Sequence, residues 1–282
     1  LPGALTKDNI LLAIDKDALS DYRIREKFPQ LLSDKEIMMH FIQTKGIELY
    51  RYLPGQLRGD PEVLNAVLQR KRGGFNNPIG YALPGALTKE NIFLAIDNEV
   101  LSDYRIREDF PQYLSDKEIM MHFIQTKGTD IYTNLSEELR NDPEVLKAVI
   151  EHTRSTTGSQ IEYALPGAIT NETIDLMISN NIYPNTPNLL NNKYYVLRAI
   201  ERKPQILEKV SDELKKDADI QRLSLVFNPD FLNTIGANSL TEYMMSYAKE
   251  YGLEINENNI IEIILSDEQF IKRILSSSPK VY

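Results

Sequence analysis

Cysteine and tryptophan are both absent from this 282-residue chain, and only three histidines occur. Without cysteine there is no disulfide framework and no thiolate nucleophile or ligand. That suits a reducing cytosol and equally a bacterial protein exported without disulfides. No apolar run approaches the roughly 20 residues that span a bilayer, and the opening residues do not read as a secretory signal. Glycine-rich phosphate loops are missing too. Gly73-Gly74 is followed by Phe75-Asn76-Asn77-Pro78 rather than by the Lys-Ser/Thr of a nucleotide-binding loop, and reads as a turn. Positive charge is in deficit, with 32 Lys and Arg against 41 Asp and Glu and a net charge of −9. Arg70-Lys71-Arg72 is the one basic cluster, and its counterpart 82 residues later is His152-Thr153-Arg154. Nucleic-acid binders need clustered Lys and Arg against phosphate, so a nucleic-acid partner is not expected.

Repetition dominates what is present. LPGALTKDNILLAID at Leu1 returns as LPGALTKENIFLAID at Leu83, and SDYRIREKFPQLLSDKEIMMHFIQTKG returns as SDYRIREDFPQYLSDKEIMMHFIQTKG. A divergent third copy opens with LPGAIT at Leu165. The chain therefore divides into block one (1–82), block two (83–164) and a divergent block with C-terminal units (165–282). It does not begin with Met, and Leu1 lies inside a repeated motif, so a longer parent with further copies upstream is expected.

A finer period runs inside each block. Capping residues followed by apolar residues four and eight positions later fall at Thr6, Ser33, Gly59, Thr88, Ser115, Asn141, Thr170, Asn191, Lys216, Ser239 and Ser266, at spacings of 21 to 29. After Ser115 come Ile119, Met120, Phe123 and Ile124; after Asn141 come Val145, Leu146, Val149 and Ile150. Two apolar residues per turn on one face is the helical period. Ser33 with Glu36, Ser115 with Glu118 and Asn141 with Glu144 have the spacing of a capping box. Pro61 and Pro143 sit in first turns, where a missing N–H costs nothing. A second apolar ladder precedes many starts, as in Ile24, Phe28 and Leu32 before Ser33. Its middle reads Phe-Pro-x-x-Leu or Leu-Ser-x-x-Leu. Proline disfavours helix at the residue before it, so a short helix followed by a one-turn restart is expected. Each unit then reads as a long helix, a shorter antiparallel helix and a turn. One such unit cannot bury its apolar face, but a stack can. The expected fold is all-α, an α-solenoid of stacked helical hairpins with units of about 27 residues and an 82-residue super-repeat.

Chemistry-bearing residues read as structural. His40 and His122 are one repeat position copied, whereas a triad or zinc site draws on different parts of a fold. Asp34, Glu36, Asp116 and Glu118 lie in first helical turns, where the helix dipole favours negative charge. No catalytic, cofactor-binding or metal-ligating residues are assigned, and the protein reads as a non-enzyme. An enzymatic alternative would draw on Asp175, Glu201, Glu213 and Asp230, which have no nucleophile or ligand partner in the pattern. The candidate partner-binding residues are Tyr22, Arg23 and Arg25, repeated as Tyr104, Arg105 and Arg107. With Ile24 and Ile106 pointing inward, these face the surface, and Tyr and Arg are enriched at binding hot spots. The competing reading is a solvated face bridged locally to Glu26 or Glu108.

Over residues 115–164, and the copy at 33–82, the pattern resembles a bacterial α-helical repeat family of unknown function, domain-of-unknown-function family 4116. The residues that carry it are Leu135, Ser136, Glu137, Glu138, Leu139, Arg140 and Asp142, then Val145, Leu146, Ala148 and Val149. The resemblance weakens after Thr170. Such repeats occur in large proteins of intracellular bacteria, including Legionella-type secreted effectors. The resemblance implies a helical array inside a multidomain effector or surface protein, acting in the bacterial cytoplasm or inside a host cell. It implies a packing motif and no active site. The function expected is a non-catalytic scaffold binding another protein, or else a passive spacer for a catalytic domain elsewhere in the parent.

Overall fold

The structure, a computed structural model, describes residues 6–70, 77–153, 159–217, 219–220 and 223–224. Among them the chain is all-helical, with no strand. It forms two compact units, Leu1–Ser136 and Glu137–Tyr282. The expected starts at Ser239 and Ser266, the Gly73-Gly74 turn and the pair Lys71-Arg72 lie outside the described residues.

In the first unit the helices are α1 (Lys7–Asp15), α2 (Asp21–Lys27), α3 (Lys35–Thr44), α4 (Gly55–Arg58), α5 (Pro61–Arg70), α6 (Lys89–Asp97), α7 (Asp103–Asp109) and α8 (Lys117–Lys127). The longer ones pack side by side in the order α1, α3, α5, α6, α8. Short helices and 3-10 turns carry the chain back between them: α2 with Pro29–Ser33, Tyr50–Tyr52 with α4, Pro78–Tyr81 with Pro84–Ala86, and α7 with Pro111–Ser115. The restart at Pro29 after α2 is the break that Phe28-Pro29 dictates. The core is the inward stripe of each long helix, including Ile14, Met38, Ile42, Leu64, Val67, Ile92, Ile96, Met120 and Ile124. Ile24 and Ile106 close it from α2 and α7, both fully buried.

Both ends of the long helices are stitched to their neighbours. Lys7, first residue of α1, reaches Asp34 at 3.4 Å and Glu36 at 2.7 Å at the start of α3. Lys35, first residue of α3, reaches Asp60 at 2.7 Å and also Glu62 at the start of α5. Lys89 does the same to Asp116 and Glu118 at the start of α8. At the other ends, Lys45 donates to Asp15 O, Arg70 to Thr44 O, Asn98 to Leu68 O and Lys127 to Asp97 O. Starts meet starts and ends meet ends, so these five helices run parallel. A lysine at a helix start opposes the dipole; its two carboxylate partners offset that and return negative charge to the neighbouring start. The donors at the far ends satisfy carbonyls that a helix leaves without partners.

The second unit contains α9 (Glu137–Arg140), α10 (Pro143–His152), α11 (Asn171–Ser179), α12 (Pro187–Leu190), α13 (Lys193–Ile200) and α14 (Asp212–Lys215). α11 packs on α10, and α13 on α11. Leu146, Val149, Ile174, Met177, Val196 and Ile200 fill the interior with Tyr195, whose phenol donates to Pro184 O at 2.9 Å. Lys193 repeats the bracket of the first unit, holding Asp217 at 2.8 Å and Asp219 at 2.7 Å.

The caps correct one detail of the sequence reading. Thr6, Thr88 and Thr170 cap α1, α6 and α11 as expected. The other caps lie one residue after the expected position: Asp34, Asp60, Asp116, Asp142 and Asn192 take the N–H groups of the following turns. Ser33 instead ends a 3-10 turn, in which Asp34 N–H donates to Leu31 O. The backbone becomes extended only at Asp34, so its carboxylate and not the Ser33 hydroxyl meets Ile37 N–H. The Ser33–Glu36 box is therefore replaced by an Asp cap with Glu36 free to meet Lys7.

Successive turns are joined by single backbone bonds: Leu83 N–H to Arg58 O and Ser136 N–H to Leu114 O in the first unit, Leu165 N–H to Arg140 O in the second. Gly85 explains the fixed Pro-Gly-Ala of the motif, because a Cβ there would lie 2.9 Å from Gly59 O.

Candidate partner-binding surface

The six sequence candidates lie on α2 and α7, each triplet on its own helix. Ser20 and Ser102 start these helices by accepting from Arg23 N–H and Arg105 N–H. One turn buries Ile24 or Ile106 and turns the preceding tyrosine outward. Tyr22 and Tyr104 are each 60% exposed.

The arginines behave differently in the two copies. Arg23 donates to Ala18 O at 2.8 Å, whereas Arg105 pairs with Asp109 at 2.9 Å. Arg107 pairs with Asp103 at 3.3 Å. Arg25, in the same Asp-Tyr-Arg-Ile-Arg-Glu context, is 3.9 Å from Asp21 and stacks on the Tyr52 ring at 4.5 Å. The local bridges thus run to Asp21, Asp103 and Asp109, not to Glu26 or Glu108. Arg51 stacks on Tyr52 as well, at 4.6 Å. Tyr52 is 38% exposed and Tyr81 41%. Arg58 donates to Tyr81 O, and the buried Tyr50 phenol donates to Arg58 O. A cavity of about 110 Å³ opens among these groups, lined by Asp21, Ile47, Glu48, Tyr50, Arg51, Tyr52, Pro78 and Tyr81.

Sequence reasoning missed Arg51, Tyr52 and Tyr81. The residues come from separate short segments, and only the fold brings them to Arg25. One signal was present in the duplication. Arg51-Tyr52 is replaced by Thr133-Asn134 in the second copy, within otherwise similar sequence.

The three histidines and Asp175 are held in contacts within the fold. His40 Nε2 lies 2.7 Å from Asp15, and His122 Nε2 lies 2.8 Å from Asp97 while its ring stacks on Phe93. Both pairs tie a long helix to its neighbour. His152 Nδ1 lies 2.9 Å from Ala148 O. Asp175 accepts from Tyr194 and Arg198 and joins α11 to α13. Glu201 and Glu213 are exposed, and Asp230 lies outside the described residues. Among the described residues no three His, Cys, Asp or Glu side chains gather as a metal site, and no helix is long and apolar enough to cross a membrane.

Comparison with protein-family models, with curated proteins and with solved structures finds no match to this chain.

Proposed function

We propose that the chain is a helical-repeat scaffold, an α-solenoid of stacked hairpins with units of about 27 residues, that binds another protein through the tyrosine–arginine face of its short helices. It acts without catalysis, as part of a larger bacterial effector or surface protein of the kind the repeat motif resembles. The parallel packing of α1, α3, α5, α6 and α8 supports the stacked reading, since repeat arrays present extended surfaces to partners. The observation that carries the binding role is the pair of outward tyrosines, Tyr22 and Tyr104. Each is 60% exposed beside a fully buried isoleucine, a position where a polar residue would serve solubility better.

The test is affinity capture with crosslinking. The whole chain is the bait against lysate of the source organism and of a host, beside a variant with Tyr22, Arg23, Tyr104 and Arg105 all changed to Ala. A partner crosslinked to α2 and α7 and lost in the variant supports the reading. Unchanged capture by the variant rejects this face. The second reading, a passive spacer, is favoured by the near-identity of blocks one and two. It requires that deleting residues 83–164 leave every function of the parent intact.

A further inference from the structure

We propose that the outer face of α1, at the edge of the first unit's row of long helices, docks an amphipathic helix of the α10 kind carried by a further copy of this repeat. The docked helix lies parallel to α1, as α5 lies against α6. This rests on the stacked-array reading and names what covers an edge of it.

Three copies of one helix can be compared. α6 is covered by α5, and α11 by α10. Their counterpart in block one, α1, has α3 on one side and exposes the other. The difference falls on one stripe, since positions 9, 12, 13 and 16 share a helical face. Asn9 is exposed, whereas Asn91 and Thr173 at its place are buried. Leu12 is 54% exposed, whereas Leu94 and Leu176 are half-buried. Ala13 is half-buried, whereas Ala95 and Met177 are fully buried. Just past the helix, Ala18 is exposed, whereas Val100 and Ile182 are buried. One exposed leucine needs no explanation. A whole stripe that is covered in both other copies, each with a helix laid beside it, does.

Polar groups say which helix fits. Asn91 donates to Pro61 O at 2.9 Å and Asn98 to Leu68 O at 3.0 Å, so the covering helix offers carbonyls at its start and near its end. Asn9 carries the same amide as Asn91. Lys16, at the place of Asn98, carries a donor for the same carbonyl. In α11, Glu172 takes Lys147 of α10 at 2.9 Å. Asp8 keeps a carboxylate at that place, and among the described residues no cation pairs with it. α5 has Asn65 where α10 has Lys147, so charge favours the α10 sequence.

The experiment extends the whole chain by a second set of residues 83–164 placed ahead of Leu1. The junction of Ala164 with Leu1 rebuilds the Tyr-Ala-Leu-Pro-Gly-Ala seam of 81–86 and offers the added α10 to α1. Hydrogen–deuterium exchange is read on residues 7–18, whose sequence occurs once in either chain. Expected is exchange slower by about tenfold or more, the effect of burying one leucine. Lys147→Glu in the added copy should remove part of that protection, and combining it with Asp8→Lys should restore it. Leu12→Asp should leave the unextended chain as stable as before and abolish the protection in the extended one. Unchanged exchange beside a folded added copy, or protection indifferent to the charge swap, would overturn the proposal. So would an unextended chain that sediments as a dimer and is dissociated by Leu12→Asp, which would give the face to a second copy. An added copy that fails to fold, seen as no gain in helical dichroism, would take the stacked-array reading down as well.

Discussion

At the scale of single residues, three positions among the described residues carry left-handed backbone without glycine: Asp17, Glu99 and Asn181, with φ of 57°, 59° and 57°. Each follows a long helix in a Schellman turn. For Glu99, Val100 N–H reaches Ala95 O and Glu99 N–H reaches Ile96 O. Left-handed geometry costs an L-residue about 1–2 kcal/mol, and a β-branched side chain suffers most. Glu99→Val is therefore expected to be less stable than Glu99→Gly by about 1–2 kcal/mol, read from urea midpoints at equal m. Asn91 presents a different constraint. It is buried, and its amide donates to Pro61 O and Ala86 O while accepting from Asn65. Asn91→Ala strands two carbonyls and is expected to cost about 2 kcal/mol or more. Asn91→Thr should recover part of that, since Thr173 at the equivalent place of the third copy donates to Ala168 O.

At the scale of elements, the lysine brackets make stability depend on pH at both extremes. Burial raises the Asp60 carboxyl, but the bond from Lys35 and the N–H groups of Glu62 and Val63 outweigh it and hold the group below its usual range. A lowered folded value means stability present above the ordinary carboxylate range and lost as pH falls through the lowered value. Lys35 is raised, chiefly by its bond to Asp60, and the Tyr50 and Tyr195 phenols are raised by burial. Their contribution is complete below the ordinary value of each group and is lost as pH rises beyond it. Thermal scans should show a plateau at neutral pH that falls below about pH 4 and above about pH 10. Asp60→Asn should flatten the acid limb, and a matching slope in wild type and variant would exclude the bracket as its source. The Pro-Gly-Ala turns give a steric test. Gly85→Ala meets the Gly59 carbonyl at 2.9 Å, whereas Gly167→Ala meets the Asn141 side chain, which can swing away. Gly85→Ala is expected to cost about 1–3 kcal/mol and to exceed Gly167→Ala in the same melting assay. The sequence made the helices readable because caps and apolar stripes act over one turn. It could not show the brackets, since Lys35 meets Asp60 only once two helices are known to lie parallel. Adjacent capping types, Ser33 beside Asp34, hid the true start, because the choice between them is made by the 3-10 turn before it.

At the scale of the whole molecule, block two can be removed at a seam the chain already uses. Joining Ala82 to Leu165 recreates Tyr-Ala-Leu-Pro-Gly-Ala, found at both 81–86 and 163–168. The chain lacking residues 83–164 is expected to fold, with native-like far-ultraviolet dichroism per residue. Its m-value should fall by roughly 30%, as 82 of 282 residues are lost. A molten spectrum would reject the stacked reading. The same deletion removes most of the acidic excess and keeps every residue of the Arg25–Tyr52 cleft. The Arg25–Tyr52 cleft was only half legible: Arg25 stands out in a motif, but Tyr52 and Tyr81 gain meaning from folding alone.

The brackets also give α3 both a plug and a socket. Lys35 is the plug that α3 offers to α5, and Asp34 with Glu36 is the socket it offers to α1. Such a joint has a direction and is self-matching, so a copied segment arrives with both halves of its connection. Duplication of a whole block copies that joint intact, as Lys89 with Asp116 and Glu118 repeats Lys7 with Asp34 and Glu36, and a gene carrying this motif can lengthen by recombination without rewriting it.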